Sequence, residues 1–576
     1  MKQFLSVIGL ILLLTSAACK KTGNGNGGSS NAAPDSIPSD PNLAPTIGFF
    51  MNHWQPRNFT AGATVVQNLT SNPATATVTV NAGQVLTKIA PTFWGNNSNL
   101  WCGQLHQQPV LMQHLSNFQP VILRGPAGSV SDLFFFNRNQ NQPPSDVPDS
   151  LLNEQGQKQP AGYWYGNNTQ NWTFSIDGYY SMLQQTGSVG MLTVNYGYAR
   201  YGLSARPVAA AAHLAAEWVR YDRGRTRYWE IGNEVFGAWE AGYRINTQTN
   251  LDGQPEIVTG ALYGQHFKEF ADSMRAAAAE TGAVIYIGAV LYDSAPAGWN
   301  TPAIQNWNTG VLSNAGASAD YFSVHNYFTP YQQNTSSADI LATATQVPAT
   351  MFSYINNGFN AVGLSKKPIA ITEWNLFASG TRQNVSAIAG IHSVIAMGEM
   401  MKQGYGAALR WDLANAWDNG DDHGLFNKGD EPGVAAWNPR PAFYYMFYLR
   451  KFLGDRLLPS TVTGNSNLYT IASSFSSGQK SVVLVNTGTA AITAEVKFQY
   501  FTPGDKFYFV RLLPGTDHAE FSRMVNINGE GPANGISGGP AETYTQIPSY
   551  ATTASQGIKV LIPARSVIYL VADKRN

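Results

Sequence analysis

Eight apolar runs alternate with helical patterns between residues 89 and 455, and this alternation restricts the fold more than any other feature. The runs lie at 89–94, 120–123, 190–194, 226–231, 283–289, 321–324, 368–372 and 407–411. Strands that alternate with helices form parallel sheets, so the pattern predicts an α/β protein with an eightfold (β/α) TIM barrel. An open doubly wound sheet would give the same pattern, but no glycine-rich phosphate-binding motif follows any of these strands.

The sequence on either side of this region has the pattern of a β-sandwich. Residues 468–474, 481–486, 491–498, 507–512 and 567–571 are β-type runs separated by Gly, Asn, Ser and Pro. Residues 64–86 carry similar runs ahead of the first barrel strand. We therefore predict the barrel over 89–455, a C-terminal β-sandwich over 456–576, and an N-terminal segment, 46–88, that adds strands to the same sandwich.

The N-terminus has the pattern of an export signal. Lys2 is followed by an apolar run over 4–14, too short to span a bilayer, and then by small residues that lead into Cys19. This resembles a bacterial lipoprotein signal peptide, which implies that residues 1–19 are the signal and that Cys19 is lipidated. Residues 20–45 are rich in Gly, Asn, Ser and Pro and are predicted to be a flexible tether. We expect an exported protein whose only membrane contact is this lipid anchor, at the bacterial outer membrane; plain secretion is the alternative.

The composition narrows the class of ligand. The chain has 36 Lys+Arg and 36 Asp+Glu, so its formal net charge is zero, whereas a nucleic-acid-binding surface needs a basic excess. Charged residues are 12% of the chain and aromatic residues another 12%, a balance that suits neutral, hydroxylated ligands such as carbohydrate. Besides Cys19 the chain has only Cys102, which excludes an internal disulfide and a cysteine-based zinc site.

Two carboxylates stand where a barrel carries its catalytic residues, at the carboxyl ends of strands. Glu234 follows the fourth predicted strand and Glu373 follows the seventh. Two carboxyls about 5–5.5 Å apart are the machinery of retaining glycoside hydrolysis, in which one is the nucleophile and the other the acid/base. A purely structural role for both acids is the alternative interpretation.

The surrounding motifs resemble those of the large clan of retaining glycoside hydrolases, clan A, whose barrels carry a catalytic glutamate after strands four and seven. Asn233-Glu234 is similar to the clan's Asn-Glu pair. The resemblance implies that Glu234 is the acid/base, that Glu373 is the nucleophile, and that Asn233 hydrogen-bonds the sugar 2-hydroxyl.

Two further motifs carry the same resemblance. His325 and Tyr327, after the sixth strand, are similar to the clan's His-x-Tyr. The resemblance implies that Tyr327 holds the nucleophile and that His325 faces the sugar or the acid/base. Trp411, which ends the eighth run, is similar to the aromatic floor of the subsite that holds the cleaved sugar.

Within the clan, the chain is most similar to the α-L-arabinofuranosidases and their relatives. Residues 123–128 resemble their Leu-Arg-aromatic-Pro-Gly-Gly turn, with Gly125 and Ala127 as departures. Residues 194–197 resemble the ending of their third strand. The resemblance implies that Arg124 and Asn195 belong to the substrate site; a surface position for Arg124 is the alternative to an ion pair inside the barrel.

Several polar and aromatic residues near the predicted mouth have two interpretations. Trp94 and Asn96 follow the presumed first strand and are predicted to line the sugar site, with packing as an equal alternative. Glu230 is predicted to be structural and to pair with an arginine, and Glu240 reads as a surface acid. The acidic loop 418–424 is predicted to be a polar active-site loop, with calcium binding as the alternative.

The sequence as a whole predicts a retaining glycoside hydrolase that acts on plant-type polysaccharide or oligosaccharide, nearest to an α-L-arabinofuranosidase. Its chemistry would need two glutamates and neither a metal nor an organic cofactor. An endo-acting hydrolase of a xylan or glucan backbone is the first alternative. A carbohydrate-binding lipoprotein without catalytic activity is the second.

Overall fold

The computed structural model describes residues 38–42, 47–126, 128–377, 382–517 and 519–575. The predicted signal peptide, Cys19 and most of the predicted tether lie outside these residues. Of the tether, Asp40 is described, and its carboxylate pairs with Lys88 and Arg456. Within the described part of the chain, no helix combines the length and the apolarity that a membrane span requires.

A closed barrel of parallel strands forms the centre of the molecule, as the sequence predicted. Each strand pairs with its neighbours in chain order, and the last pairs with the first. The strands, called strands 1 to 8 below, are Gly95–Asn97, Ile122–Gly125, Val189–Val194, Thr226–Ile231, Tyr286–Val290, Tyr321–Asn326, Ile369–Trp374 and Ala407–Arg410. The helices of the outer layer are Pro109–Phe118, Ile176–Thr186, Pro207–Asp222, Gly260–Thr281, Trp307–Ala315, Ser337–Ala361, Ala387–Gln403 and Pro441–Phe452.

The helix boundaries follow from capping chemistry. Ser175, Thr259 and Ser386 each accept a hydrogen bond from a backbone N–H of the first turn. Other helices begin at a proline, whose missing N–H costs nothing at that position. Such local signals fix where each helix begins, and hence how the loops that follow the strands are placed.

The first strand begins later than the sequence predicted. The run 89–94 contains Pro91, which starts a 3-10 turn, Pro91–Phe93, instead of a strand. The strand is Gly95–Asn97, so Trp94 precedes it and lies at its amino end. There the Trp94 ring stacks near the Arg450 guanidinium, 5.7 Å from ring centre to carbon. The prediction that Trp94 lines the sugar site is therefore wrong, because the predicted site is at the opposite end of the strands.

Two packed sheets form an accessory β-sandwich, which confirms the prediction of such a sandwich. The larger sheet consists of Thr64–Val66, Ser549–Thr553, Pro503–Pro514, Ser566–Lys574, Lys480–Asn486, Leu468–Ser474, Arg456–Leu458 and Thr87–Lys88, with Val525–Ile527 paired to one of them. The smaller sheet consists of Ser460–Thr463, Ala76–Asn81, Ile492–Gln499 and Ile558–Ile562. Alternate residues such as Val78, Val482 and Leu570 fill the space between the sheets. The N-terminal segment thus contributes strands to both sheets.

A short 3-10 turn, Gly48–Met51, closes the amino end of the barrel. Phe50 is fully buried and belongs to a core cluster with side chains from the barrel strands. Its ring stacks on Tyr228 at 5.0 Å and meets Tyr321 edge-on at 5.5 Å. The barrel interior is therefore filled by apolar rings at this end and by the polar groups described below at the other.

We expect Phe50→Ala to lower the free energy of unfolding by about 3–5 kcal/mol, because it leaves a cavity between aromatic rings. Equilibrium denaturation followed by circular dichroism measures the loss. Val66→Ala is the control, since that side chain is 85% exposed and its truncation leaves no cavity. Equal stabilities of the two variants would show that Phe50 does not fill the barrel.

Candidate active site

Arg124 organises the carboxyl end of the barrel. It lies near the end of strand 2 and is completely buried inside the barrel. Its Nε donates to Glu230 at 2.5 Å and its Nη1 to Glu373 at 2.7 Å. Nη1 also donates to Asn97 and Nη2 to Asn233, each at 3.0 Å. Burial lowers the pKa of Arg124, but the two carboxylates outweigh it and hold that pKa above its ordinary value. One cation thus compensates two buried acids.

Glu373 is held by donors on both of its oxygens. It lies in strand 7 and is 3% exposed. Oε1 accepts from Arg124, and Oε2 accepts from the Tyr327 hydroxyl at 2.9 Å. Because a guanidinium and a phenol fix its two oxygens, the carboxylate has one orientation at the barrel mouth.

Glu234 stands opposite, on the turn that follows strand 4. Its backbone has a φ of 40°, a left-handed conformation that turns the chain immediately after Asn233. His325 Nδ1 donates to its Oε1 at 2.9 Å, and Trp239 Nε1 donates to its Oε2 at 3.1 Å. Its side chain keeps 18% of its surface exposed, more than Glu373 does.

Glu234 and His325 form a hydrogen-bonded acid–base pair. Burial raises the pKa of Glu234, but the hydrogen bonds from His325 and Trp239 outweigh it and leave that pKa below its ordinary value. Burial lowers the pKa of His325, but Glu373 and Glu234 raise it above the ordinary value. On the other side of the ring, His325 Nε2 lies 3.1 Å from the Thr372 hydroxyl. The imidazole is thus oriented from both nitrogens.

The two glutamates are close enough to act on one bond. A carboxylate oxygen of Glu234, one of Glu373 and a ring nitrogen of His325 all lie within 4.8 Å of one another. These three side chains are also of the kind that bind metal ions. However, Arg124 already supplies the positive charge beside Glu373. The arrangement therefore suits a nucleophile and a proton donor better than a cation site.

Asn233 is fixed at three points. Its backbone N–H donates to Asp132 at 3.0 Å, and its side-chain Oδ1 accepts from Arg124. Its Nδ2 donates to Glu240 Oε1 at 3.0 Å. One amide hydrogen remains for a ligand, which is the capacity that the predicted contact with a sugar hydroxyl requires.

The other predicted ligand-binding residues differ in where their polar groups point. Asn195 Oδ1 accepts from Tyr198 N–H, while its Nδ2 donates to the Phe134 carbonyl and the Tyr201 hydroxyl. Asn195 thus holds the turn after strand 3 together, and its contact with a sugar stays a prediction. Asn96 is fully buried, and its Nδ2 lies 3.4 Å from the Arg410 carbonyl of the adjacent strand. Its observed role is therefore to pack between strands.

Trp411 follows strand 8, where a floor was predicted, and is 8% exposed. A side chain at Gly128 would collide with it, since a Cβ there would lie 2.6 Å from the Trp411 ring. The ring of Trp101 lies 6.1 Å away. Trp411 is therefore seated between the loops that follow strands 1 and 2.

The acidic loop after strand 8 is held by an ion pair with Arg440. Asp422 pairs with Arg440, which also pairs with Glu431, and all three are buried. Asp421 accepts from the Asn384 amide at 3.2 Å. A guanidinium therefore occupies the position beside Asp422 that a calcium ion would need.

The sequence missed four residues of this constellation: Asn97, Asp132, Trp239 and Glu240. Asn97 stands next to the predicted Asn96, and side chains of successive strand residues point to opposite faces, so the error is one position. Glu240 was assigned to the surface but is 4% exposed. Asp132 lies on the short 3-10 helix Gly128–Leu133 and Trp239 lies in a loop, and neither segment has a hydrophobic periodicity that indicates which side chains turn inward.

No protein-family model and no curated protein matches the sequence of the chain. Solved structures share its fold. An α-L-arabinofuranosidase from Thermotoga maritima in complex with arabinose has a TM-score of 0.58 at 15% identity, over 86% of this chain and 99% of its own. A GH51 α-L-arabinofuranosidase from Thermotoga petrophila RKU-1 has a TM-score of 0.60 at 14% identity, over 86% and 100%. A GH family 44 xyloglucanase from Paenibacillus polymyxa with xyloglucan has a TM-score of 0.55 at 10% identity, over 87% and 99%. These proteins share the architecture of a barrel with an accessory β-sandwich.

We expect Arg124→Met to lower the free energy of unfolding by about 3–5 kcal/mol, because it leaves Glu230 and Glu373 buried without their cation. Urea denaturation at neutral pH measures the loss. Arg220→Met is the control: it removes the same charge from an ion pair with Glu280 on the surface, and we expect a far smaller loss. Comparable losses in both variants would contradict the central role of Arg124.

Proposed function

We propose that the protein is a retaining glycoside hydrolase in which Glu373 is the nucleophile and Glu234 the acid/base. The observation that carries the proposal is the approach of their carboxylate oxygens to within 4.8 Å. Retaining enzymes place their two carboxyls about 5–5.5 Å apart, whereas inverting enzymes leave room for a water at about 6.5–9.5 Å. The shared fold of glycosidases with different substrates also supports this class of reaction.

In the first step Glu373 attacks the anomeric carbon while the bond from that carbon to the leaving oxygen breaks. Glu234 gives its proton to the leaving oxygen, so the leaving sugar departs as an alcohol. In the second step Glu234 takes a proton from water, which attacks the anomeric carbon and releases Glu373. Two displacements at the same carbon return the starting configuration.

The hydrogen bonds at Glu234 suit its change of role between the steps. A bound sugar excludes water from Glu234, and the charge of Glu373 nearby also disfavours a second carboxylate, so the proton moves from His325 toward Glu234. Once Glu373 is esterified its charge is gone. His325 has by then given up its proton, and the Trp239 N–H that still donates favours the ionised form of Glu234, which is the form that a general base needs.

For the substrate we propose a plant-type polysaccharide or oligosaccharide, with α-L-arabinofuranosidase-like removal of side chains as the first candidate. The motifs around Arg124 and Asn233 and the fold shared with arabinofuranosidases support it. Endo-acting hydrolysis of a xylan or glucan backbone is the second candidate, because a xyloglucanase shares the same architecture.

We expect Glu234→Gln and Glu373→Gln each to lower turnover at least ~100-fold, because each removes a group that takes part in bond making or proton transfer. Glu280→Gln, on a side chain that is 55% exposed, should leave turnover unchanged. Wild-type protein is incubated with arabinoxylan, arabinan, xylan, xyloglucan and glucuronoxylan, and the products are separated. Proton NMR should show the retained anomer as the first product.

Each result of this experiment has one meaning. Free arabinose alone supports removal of side chains, and oligosaccharides of mixed length support endo action. Binding of a polymer without any product would make the protein a carbohydrate-binding protein and overturn the proposal. An inverted first product would overturn the roles of the two glutamates.

We also propose that the protein is held at the bacterial outer membrane through lipid on Cys19. The run of small residues that leads into Cys19 supports this location. We expect the wild-type chain to sediment with membranes and Cys19→Ala to lose that association, as measured by fractionation and immunoblotting. Cys102→Ala is the matched control, because that thiol is buried on a 3-10 turn after the first barrel strand. Equal distribution of both variants would contradict lipidation at Cys19.

A further inference from the structure

We propose that Glu240 is a positioning residue that works in its protonated form, fixing the Asn233 amide beside the acid/base. The inference rests on the proposed function, because Asn233 matters only if a sugar binds there. It assigns to Glu240 a role that its place in a loop does not suggest.

Glu240 joins two loops at the barrel mouth through a single oxygen. Its Oε1 accepts from Asn233 Nδ2 at 3.0 Å and from the Ser129 hydroxyl at 2.7 Å. Ser129 belongs to the 3-10 helix Gly128–Leu133, which follows strand 2, whereas Glu240 follows strand 4. The loops that follow strands 2 and 4 are therefore tied together by this side chain.

The other oxygen of Glu240 is buried and has no hydrogen-bond partner among the described residues. The residue as a whole is 4% exposed, so water does not solvate this oxygen freely. An ionised carboxylate in that position would leave a charge buried without a donor, which is costly. A protonated carboxyl places its neutral O–H there and keeps the accepting oxygen for Asn233 and Ser129.

The charges around Glu240 act in the same direction. Asp132 lies on the helix after strand 2, and Glu234 lies on the turn of Glu240's own loop; both are acids. Arg124 also contacts Asn233, but its positive charge is already paired with Glu230 and Glu373. Burial, then Asp132 and Glu234, raise the pKa of Glu240 well above its ordinary value. Burial also raises the pKa of Asp132 to about 7, so the acids compete for protons.

The accepting oxygen of Glu240 and the guanidinium of Arg124 together decide how the Asn233 amide is turned. Arg124 offers only hydrogens and so requires the Asn233 oxygen, while Glu240 Oε1 requires its nitrogen. A flipped amide would oppose donor to donor and acceptor to acceptor. A neutral Glu240 holds the Asn233 amide in this orientation without adding a third negative charge beside Glu234 and Glu373. Ionisation of Glu240 at high pH keeps the accepting oxygen but adds that charge, which disturbs the ionisation of Glu234 and Glu373.

The test compares Glu240→Gln with Glu240→Ala in the full chain, acting on the polymer that the wild type cleaves. Gln keeps the accepting oxygen and mimics the neutral acid, so kcat/KM should stay within about threefold of wild type, whereas Ala should lose roughly tenfold, the worth of one hydrogen bond. Because Gln cannot ionise, the alkaline limb of its pH profile should move to higher pH. Glu280→Gln is the surface control, and unfolding midpoints verify that each variant folds.

The proposal is overturned if Glu240→Gln falls as far as Glu240→Ala, since Glu240 would then act as a carboxylate, or if its alkaline limb does not move. It is also overturned if Glu240→Ala keeps full activity. A second measurement does not depend on turnover: the infrared difference between wild type and Glu240→Gln at neutral pH should contain the carbonyl band of a protonated carboxyl. If the wild type cleaves no substrate but shows this band, the proposed function fails while the protonation stands. Absence of the band refutes the protonated state directly.

Discussion

The charge balance around Arg124 is the constraint on which the rest of the site depends. Its guanidinium contacts side chains from strands 1, 4 and 7, so it links distant parts of the barrel circumference through one rigid, planar group. Two buried carboxylates are stable there only because this cation lies between them. Its remaining hydrogen bond reaches Asn233, and through it the turn that carries Glu234. The separation of the two glutamates thus follows from a buried ion-pair network.

A second network supports the loop after strand 8 and reaches into the sandwich. Arg440 binds Asp422 of the loop after strand 8 and also Glu431, and Glu431 in turn binds Arg523 of the sandwich at 2.5 Å. The indole of Trp417 lies between Arg440 and Arg523, about equally far from both. The accessory sheets therefore help to place the loop next to Trp411.

Much of the fold could be predicted from the sequence, and so could the glutamates, because both depend on periodic patterns. An apolar run that ends in a carboxylate places that carboxylate at a strand end, which is how Glu234 and Glu373 were found. Trp94 was misplaced because Pro91 turned a strand-like run into a 3-10 turn. Glu240 was missed because its burial results from neighbouring loops, and no local pattern in a loop records what will cover it. The predicted lipidation of Cys19 lies outside the described residues.

The sandwich is assembled from both flanks of the barrel, and this has a consequence for how the chain can be divided. Ala76–Asn81 lies between Ile492–Gln499 and Ser460–Thr463, so a strand made early in synthesis waits for partners made more than 370 residues later. In the sequence, the barrel is inserted between strands of the sandwich and does not simply precede it. A fragment that begins at the first barrel strand would deprive both sheets of members, and a fragment that ends with the last barrel helix would leave the N-terminal strands with open edges. The barrel and the sandwich therefore have to be expressed together.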